Sequence, residues 1–434
     1  MLNRLQKFSY GIARLGSSTL LGLFGWASVY VYWGYYNLDP VLTGWANAAG
    51  KIVIATAEFL MGYISDITKT RWGKRKPYII FGAPLLALSF YMYFIPHHFL
   101  GRNVDQFTLF IYAAFFNSLF HFSYAFLLTP FQAWMPEITE PEERIEVSVL
   151  QNFSNLLANA ISVVIGFLLP SILRQDGLAL IVLGVLAIFE VLLYLPSILF
   201  IPKETSTILQ PNFIKNMKII ISNKEYMKWV MVQGLVSVAI TMTSSLVLTY
   251  IKKVIGITEG PESLSFGLIL LIIIVGFFYI WGRMAKKKGK GKTLFLTNII
   301  FMIALLFTPI IGLIKLPFPS YILGYLFIVL GAMGASGFHL FPYVIIADLA
   351  HKDEIDTGEN RAGLYTGFNY LPLNIFQTFA YILTGYILTL PNVPGRGYTS
   401  GLLWWGPIAA IFTLLGNLVL LKTNIDPFMK RSKL

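Results

Sequence analysis

The stretch "GYISDITKTRWGKRKPY", residues 62–78, places five cations, Lys69, Arg71, Lys74, Arg75 and Lys76, within eight residues directly between two long apolar runs. Only 12% of the chain is charged, so this concentration needs a reason. Of the 434 residues, 56% are hydrophobic, and the mean hydropathy is +0.68. Soluble proteins run nearer to about 45–50% apolar with about 25% charge. The apolar residues come in blocks of roughly 20, the length at which a helix crosses about 30 Å of hydrocarbon. A water-soluble core of this size needs a polar surface that the chain lacks. The chain therefore reads as integral to a membrane.

The net charge of +12 suggests nucleic acid in a soluble protein. Here the cations sit in short loops and read as a topology signal, so no nucleic-acid partner is expected. The absence of cysteine excludes disulfides, thiolate metal sites and a cysteine nucleophile. Arg4 and Lys7 before an apolar run imitate a signal peptide. The run continues to about Tyr36, too long for a cleaved segment, and is read as the first span.

Twelve spans are expected, at 10–35, 43–65, 77–96, 106–133, 148–173 and 177–201, then at 227–251, 263–283, 293–314, 320–348, 362–390 and 400–422. They divide the chain into an N-terminal bundle, 1–201, a lysine-rich connection, 202–226, and a C-terminal bundle, 227–434. With the N-terminus inside, 25 of the 33 lysines and arginines fall in inner segments and 6 in outer loops. That asymmetry places both termini in the cytoplasm and residues 62–78 at the inner turn between spans 2 and 3. The stretch has a partner in "GRMAKKKGKGK", residues 282–292, between spans 8 and 9, with Lys74 and Lys290 216 positions apart. A second echo pairs "TPFQAWMPEITEPEER" with "FPYVIIADLAHKDEID", Pro130 and Pro342 being 212 apart. The expected fold is all-α, twelve transmembrane helices in two six-helix bundles related by a parallel repeat, the major facilitator fold.

These motifs carry a resemblance. "GYISDITKTRWGKRKPY", "PFQAWMPEIT" at 130–139 and "IADLAHKDEIDTGENRAGLYTG" at 346–367 resemble the glycoside–pentoside–hexuronide:cation symporters, the melibiose-carrier group. The matches lie in both halves. The resemblance implies a secondary transporter that moves a sugar or glycoside with a cation. It also implies departures. Of two helix 2 carboxylates that hold the cation in the family, one falls on Glu58 and the other on Ile54. The helix 1 aspartate falls on Arg14, a helix 4 aspartate on Leu128, and a helix 11 lysine near Asn374.

Charge inside a span costs roughly 2.5–3.5 kcal/mol on the lenient insertion scale, so it points to function. Arg14, Lys51 and Glu58 are such residues, Lys51 and Glu58 lying seven apart, two turns along one face of helix 2. Helix 1 is expected to bring Arg14 near them. Glu190 is a rival acid on helix 6, and His121 and His339 are further candidates. Neutral polar stripes follow helical spacing: Ser148, Asn152, Asn155, Asn159 and Ser162; Gln233, Ser237, Thr241 and Ser244; Thr366, Tyr370, Asn374, Gln377 and Tyr381. Amides donate and accept together, which suits sugar hydroxyls, and Trp26 offers a stacking face. The expected substrate contacts are Arg14, Lys51, Trp26, Asn152, Asn155, Asn374, Gln377, His121 and His339, near mid-membrane between the halves.

Each bundle carries one basic and one acidic inner loop. Asp66, Arg71, Lys74, Arg75, Glu137, Arg144, Asp348, Asp353 and Arg361 form an expected cytoplasmic gate, with basic and acidic loops pairing crosswise between the halves. No nucleophile motif, phosphate loop or metal-spaced cluster appears, so no enzyme, metal or cofactor is expected. The expectation is a multi-pass cell-membrane protein, monomeric, that moves a small molecule. Proton coupling through Glu58 is expected over sodium, because Ile54 and Ala57 leave one acid in "IVIATAEFLMG". A lysolipid transporter of the same fold and a transporter-like sensor stay open as alternatives.

Overall fold

A computed structural model of the chain describes residues 2–202, 213–257, 261–313, 320–358 and 362–428. The chain divides into two compact units, Met1–Gln210 and Pro211–Leu434. Unit 1 holds α1 (Arg4–Val29), α2 (Pro40–Ile67), α3 (Lys76–Phe94), α4 (Gln106–Ile138), α5 (Pro141–Leu173) and α6 (Asp176–Phe200). Unit 2 holds α7 (Lys224–Tyr250), α8 (Pro261–Lys288), α9 (Lys290–Leu313), α10 (Ser320–Leu340), α11 (Ala362–Leu388) and α12 (Gly401–Leu420). Shorter helices occupy Pro96–Leu100, Phe213–Ser222 and Pro342–Thr357.

Local chemistry sets the helix ends. Asn3 and Gln6 form a reciprocal capping box before α1. Asp39 caps α2 by accepting from Val41 N and Leu42 N, with Pro40 in the first turn, where its missing N–H costs nothing. The expected tenth span, 320–348, is interrupted at Phe341, whose backbone stays helical (φ −87°, ψ −28°): Pro342 has no N–H to donate to the ladder, and a new helix starts from it. The fourth and fifth spans also differ from expectation. Helix continues to Ile138 and resumes at Pro141, so most of the acidic "loop" between them is helical.

Among the described residues, eleven helical stretches are long and apolar enough to cross a membrane. The twelfth long helix is α1, which is more polar because it carries Arg14 and a run of small residues. That run, including Ser9, Gly11, Gly16, Ser17 and Ser18, is buried. Small residues let helix backbones approach closely where a bilayer supplies no hydrophobic drive between helices.

The six-helix repeat is visible in the packing of each unit. In unit 1, α1 packs on α5 and α6, α2 on α4, and α3 on α4 and α6. In unit 2, α7 packs on α11 and α12, α8 on α10, and α9 on α10 and α12. The scheme is the same with every helix number raised by six. Details repeat with it. Both α1 and α7 end in a π-helical turn, Tyr30–Tyr35 and Ile251–Ile255. Tyr32 Oη donates to Tyr93 O at 2.8 Å, and Tyr250 Oη donates to Thr308 O at 2.7 Å. The turn of the opening stretch needs Gly73 (φ 99°) and its counterpart turn needs Gly289 (φ 92°), in a left-handed region that side chains disfavour.

Close helix packing in unit 2 yields a first prediction. A Cβ on Gly334 of α10 would lie 2.4 Å from the backbone nitrogen of Phe301 on α9, which cannot swing away. At Gly331, one turn earlier, the nearest neighbouring atom lies at 4.0 Å. Overpacking costs about 1–3 kcal/mol. Gly334→Ala should therefore lower the melting temperature of the purified protein by several degrees, and Gly331→Ala should not. Equal melting of the two variants would contradict the packing.

Candidate functional site

In unit 1 a polar seam runs between α2 and α4. Asn117 Nδ2 on α4 donates to Asn47 Oδ1 on α2 at 3.0 Å, and both side chains are buried. One turn along α4, His121 is buried with Nδ1 3.0 Å from Asn117 O and its ring edge-on to Phe24 at 5.4 Å. Lys51 interacts electrostatically with both His121 and Glu58. Glu58 is half-buried, and its Oε2 is buried with no hydrogen-bond partner among the described residues. Ile54, between Lys51 and Glu58, is buried. The seam therefore holds one acid, one ammonium, one imidazole and two amides.

Arg14 has a different setting from the one expected. It is half-buried on α1, and its charge acts on Tyr10 and Tyr194. The reason is topological: α1 packs chiefly on α5 and α6 and only sparsely on α2. Beside it Ser17 Oγ and Tyr194 Oη share a hydrogen bond of 3.0 Å. Glu190 of α6 lies on this side, wholly buried, with neither carboxylate oxygen hydrogen-bonded among the described residues.

The α5 stripe is only partly engaged. Asn152 and Asn159 are exposed, Asn155 is half-buried, and Asn159 Nδ2 donates back to Asn155 O at 3.0 Å. Ser162 turns inward and bonds its own helix at Ala158 O, 2.8 Å. Trp26 on α1 is half-buried. In unit 2, Asn374 is buried, Gln377 half-buried and His339 exposed. Asn369 Oδ1 and Gln233 Oε1 are buried without a hydrogen-bond partner among the described residues. The Asn47–Asn117 pair and Asn369 did not emerge as site residues from the sequence. Their signal was present, since each is an amide inside an apolar span.

The opening stretch forms a buried ion-pair network. Arg75 is 2% exposed. Its guanidinium donates to Glu137 Oε1 and Oε2 at 2.6 and 3.3 Å, to Ser65 Oγ at 2.5 Å and to Asp66. Lys74 Nζ lies 3.0 Å from Glu137 Oε1. In unit 2, Lys290 pairs with Asp348. These cations and acids were expected to pair crosswise between the halves. Within each unit the basic turn is joined to that unit's own acidic segment, because α3 packs on α4 and α9 packs on α10. Arg71 is exposed and stacks over Trp72 at 4.8 Å, and Arg144 and Asp353 are half-buried. Arg361 lies outside the described residues.

At the N-terminal end of α1, Glu143 accepts from Leu2 N at 3.1 Å and pairs with Lys7 at 3.2 Å. Burial opposes its charge, but hydrogen bonds from Glu140 N, Lys7 and Leu2 N prevail and hold the carboxyl below its usual range.

A family model described as MFS/sugar transport protein matches residues 8–418. The uncharacterized symporter sll1374 of Synechocystis sp. is 21% identical, with 95% of this chain and 92% of that protein covered. The isoprimeverose transporter of Lactiplantibacillus pentosus is 23% identical over 36% of this chain and 32% of its own length. Among solved structures, a point mutant of the nucleoside transporter NupG superposes with a TM-score of 0.69 at 13% identity, covering 96% of this chain and 99% of that one. A D-xylose-proton symporter superposes with a TM-score of 0.68 at 12% identity, covering 99% and 97%. At these identities the two structures establish the fold alone. With the repeated six-helix packing and the family match over nearly the whole chain, the protein belongs to the MFS/sugar transport protein family: a multi-pass integral membrane secondary transporter and not an enzyme.

Proposed function

We propose that the protein is a proton-coupled symporter of a sugar, glycoside or hexuronide that works by alternating access, with Glu58 as the coupling acid. One observation carries the coupling: Glu58 has a buried carboxylate oxygen without a hydrogen-bond partner among the described residues, and Ile54 and Ala57 are the apolar residues beside it on α2. A sodium ion needs several converging oxygens, whereas a proton needs a single acid. The name of the isoprimeverose transporter among the relatives supports a glycoside as cargo. The test is accumulation in proteoliposomes under an imposed pH gradient and, separately, under a sodium gradient. Sodium-driven uptake that ignores pH would end the proton reading.

Hydroxyl-rich cargo needs paired donors and acceptors. Asn152 is exposed in unit 1 and Gln377 half-buried in unit 2, and both are proposed to bond substrate hydroxyls. A net hydrogen bond is worth about 0.5–1.5 kcal/mol. Asn152→Ala and Gln377→Ala should each weaken substrate binding by about two- to tenfold, read by substrate-induced thermal stabilisation. Wild-type affinity in both would place the site elsewhere.

A further inference from the structure

At the end of unit 1 remote from the N-terminus, the ends of α1, α3, α5 and α6 surround a cavity of about 420 Å³. Two aromatic walls are fixed by their phenols. Tyr35 Oη donates to Leu173 O at 2.5 Å, and Tyr36 Oη donates to Phe94 O at 2.9 Å. Tyr36 also packs edge-on against His97 at 4.3 Å. The remaining polar lining is Arg102, Arg174, His97, His98 and a single acid, Asp176. Asp176 Oδ2 already accepts from Arg102 Nη2 at 2.6 Å.

The chemistry of this lining is one-sided. It offers guanidinium and imidazole N–H donors, with two arginines to one carboxylate. An anion with several acceptor oxygens is complementary, and the planar guanidinium fork suits phosphate or carboxylate geometry. The volume falls within the range of about 300–1,000 Å³ typical of sites for organic ligands. Ile95, Leu173 and Ala179 supply an apolar wall for the rest of such a molecule. The cavity also lies where the long helices of unit 1 end.

We propose that this cavity binds the phosphate group of an organic phosphate ester, with Arg174 and Arg102 as its charge partners. The ester is either an anionic phospholipid headgroup or a free organic phosphate. The titratable groups that share the lining with His97 are Tyr35, Tyr36, His98, Arg102, Arg174 and Asp176. Burial, and then the charge of Arg102, hold the His97 imidazolium below its usual range, with Asp176 opposing. A bound phosphate reinforces Asp176, so protonation of His97 and anion binding favour each other and affinity rises as pH falls. The inference is independent of the substrate and coupling assigned above.

The test uses the purified full-length protein in neutral detergent, titrated by calorimetry with dioctanoyl-phosphatidylglycerol and with glycerol 3-phosphate at two pH values, about 6 and about 8. The expected result is saturable binding, tighter at the lower pH for phosphatidylglycerol, whose phosphodiester keeps one charge at both values, while a phosphate monoester with a second pKa of about 6 itself loses charge. Arg174→Gln should weaken it at least tenfold, and Arg174→Lys should restore part of the loss. Lys286→Gln, at the end of α8 in unit 2, removes the same charge and should change nothing. Binding of the lipid alone assigns the site to a headgroup, and equal binding of glycerol phosphate assigns it to a free ester. If neither probe binds at the lower pH, or if Arg174→Gln and Lys286→Gln weaken binding equally, the proposal is overturned.

Discussion

Glu58→Gln should abolish uphill accumulation under a pH gradient and leave exchange down to equilibrium intact. The amide keeps the size and most of the polarity of the acid but cannot gain or release a proton. A gradient of one pH unit is worth about 1.4 kcal/mol, so one proton per substrate supports about tenfold accumulation. The wild type should approach that ratio, and the variant should stop at parity. Exchange persists because the residues proposed to bind substrate, Asn152 and Gln377, are untouched. Lys51 sharpens the test. It is the cation that acts on Glu58 along α2, so Lys51→Met should shift the pH at which coupled uptake is half-maximal without bringing accumulation to parity. Full accumulation by Glu58→Gln would remove Glu58 from the coupling step, whatever the driving ion proves to be.

Arg75→Ala should be the most destabilising change in the opening stretch. Its guanidinium is 2% exposed and bridges Ser65, Asp66 and Glu137. Removing one member of a buried ion pair typically costs about 3–5 kcal/mol, because the partner is left charged and without its counter-ion. The lower end applies here, since Asp66 is 40% exposed and Lys74 still reaches Glu137. Arg71 lies four residues earlier in the same motif but is exposed, and Arg71→Ala should cost within about 0.5 kcal/mol. Heating the detergent-solubilised protein and measuring the surviving monodisperse fraction separates the two variants. If they melt alike, the network is not holding α3 to α4.

Arg71 and Arg75 show how sequence and structure divide the information. Both are cations of one turn between α2 and α3, and both count equally in the charge pattern of the sequence. Nothing local tells them apart. Burial of Arg75 depends on Glu137, 62 positions away, which reaches it because α4 continues beyond its apolar run to Ile138. Arg14 shows the same limit. Its cost inside an apolar span marked it as a functional candidate, but its neighbours are decided by α1 packing on α5 and α6.

The number of long helices, the repeat of six and the family are legible in the residues without any coordinates. Apolar blocks of bilayer length, the 216-residue echo of the basic turns and the symporter-like motifs are written locally and survive any rearrangement of neighbours. Three-dimensional packing was needed to show that each basic turn closes onto its own unit's acidic segment. It was also needed to bring Asn47 to Asn117, and to ring one cavity with Tyr35, Arg102 and Arg174. In a bilayer the hydrophobic effect does not choose between helix faces, so partners are selected by small-residue packing and polar contacts between segments distant in the chain. A hydropathy pattern carries no record of those choices.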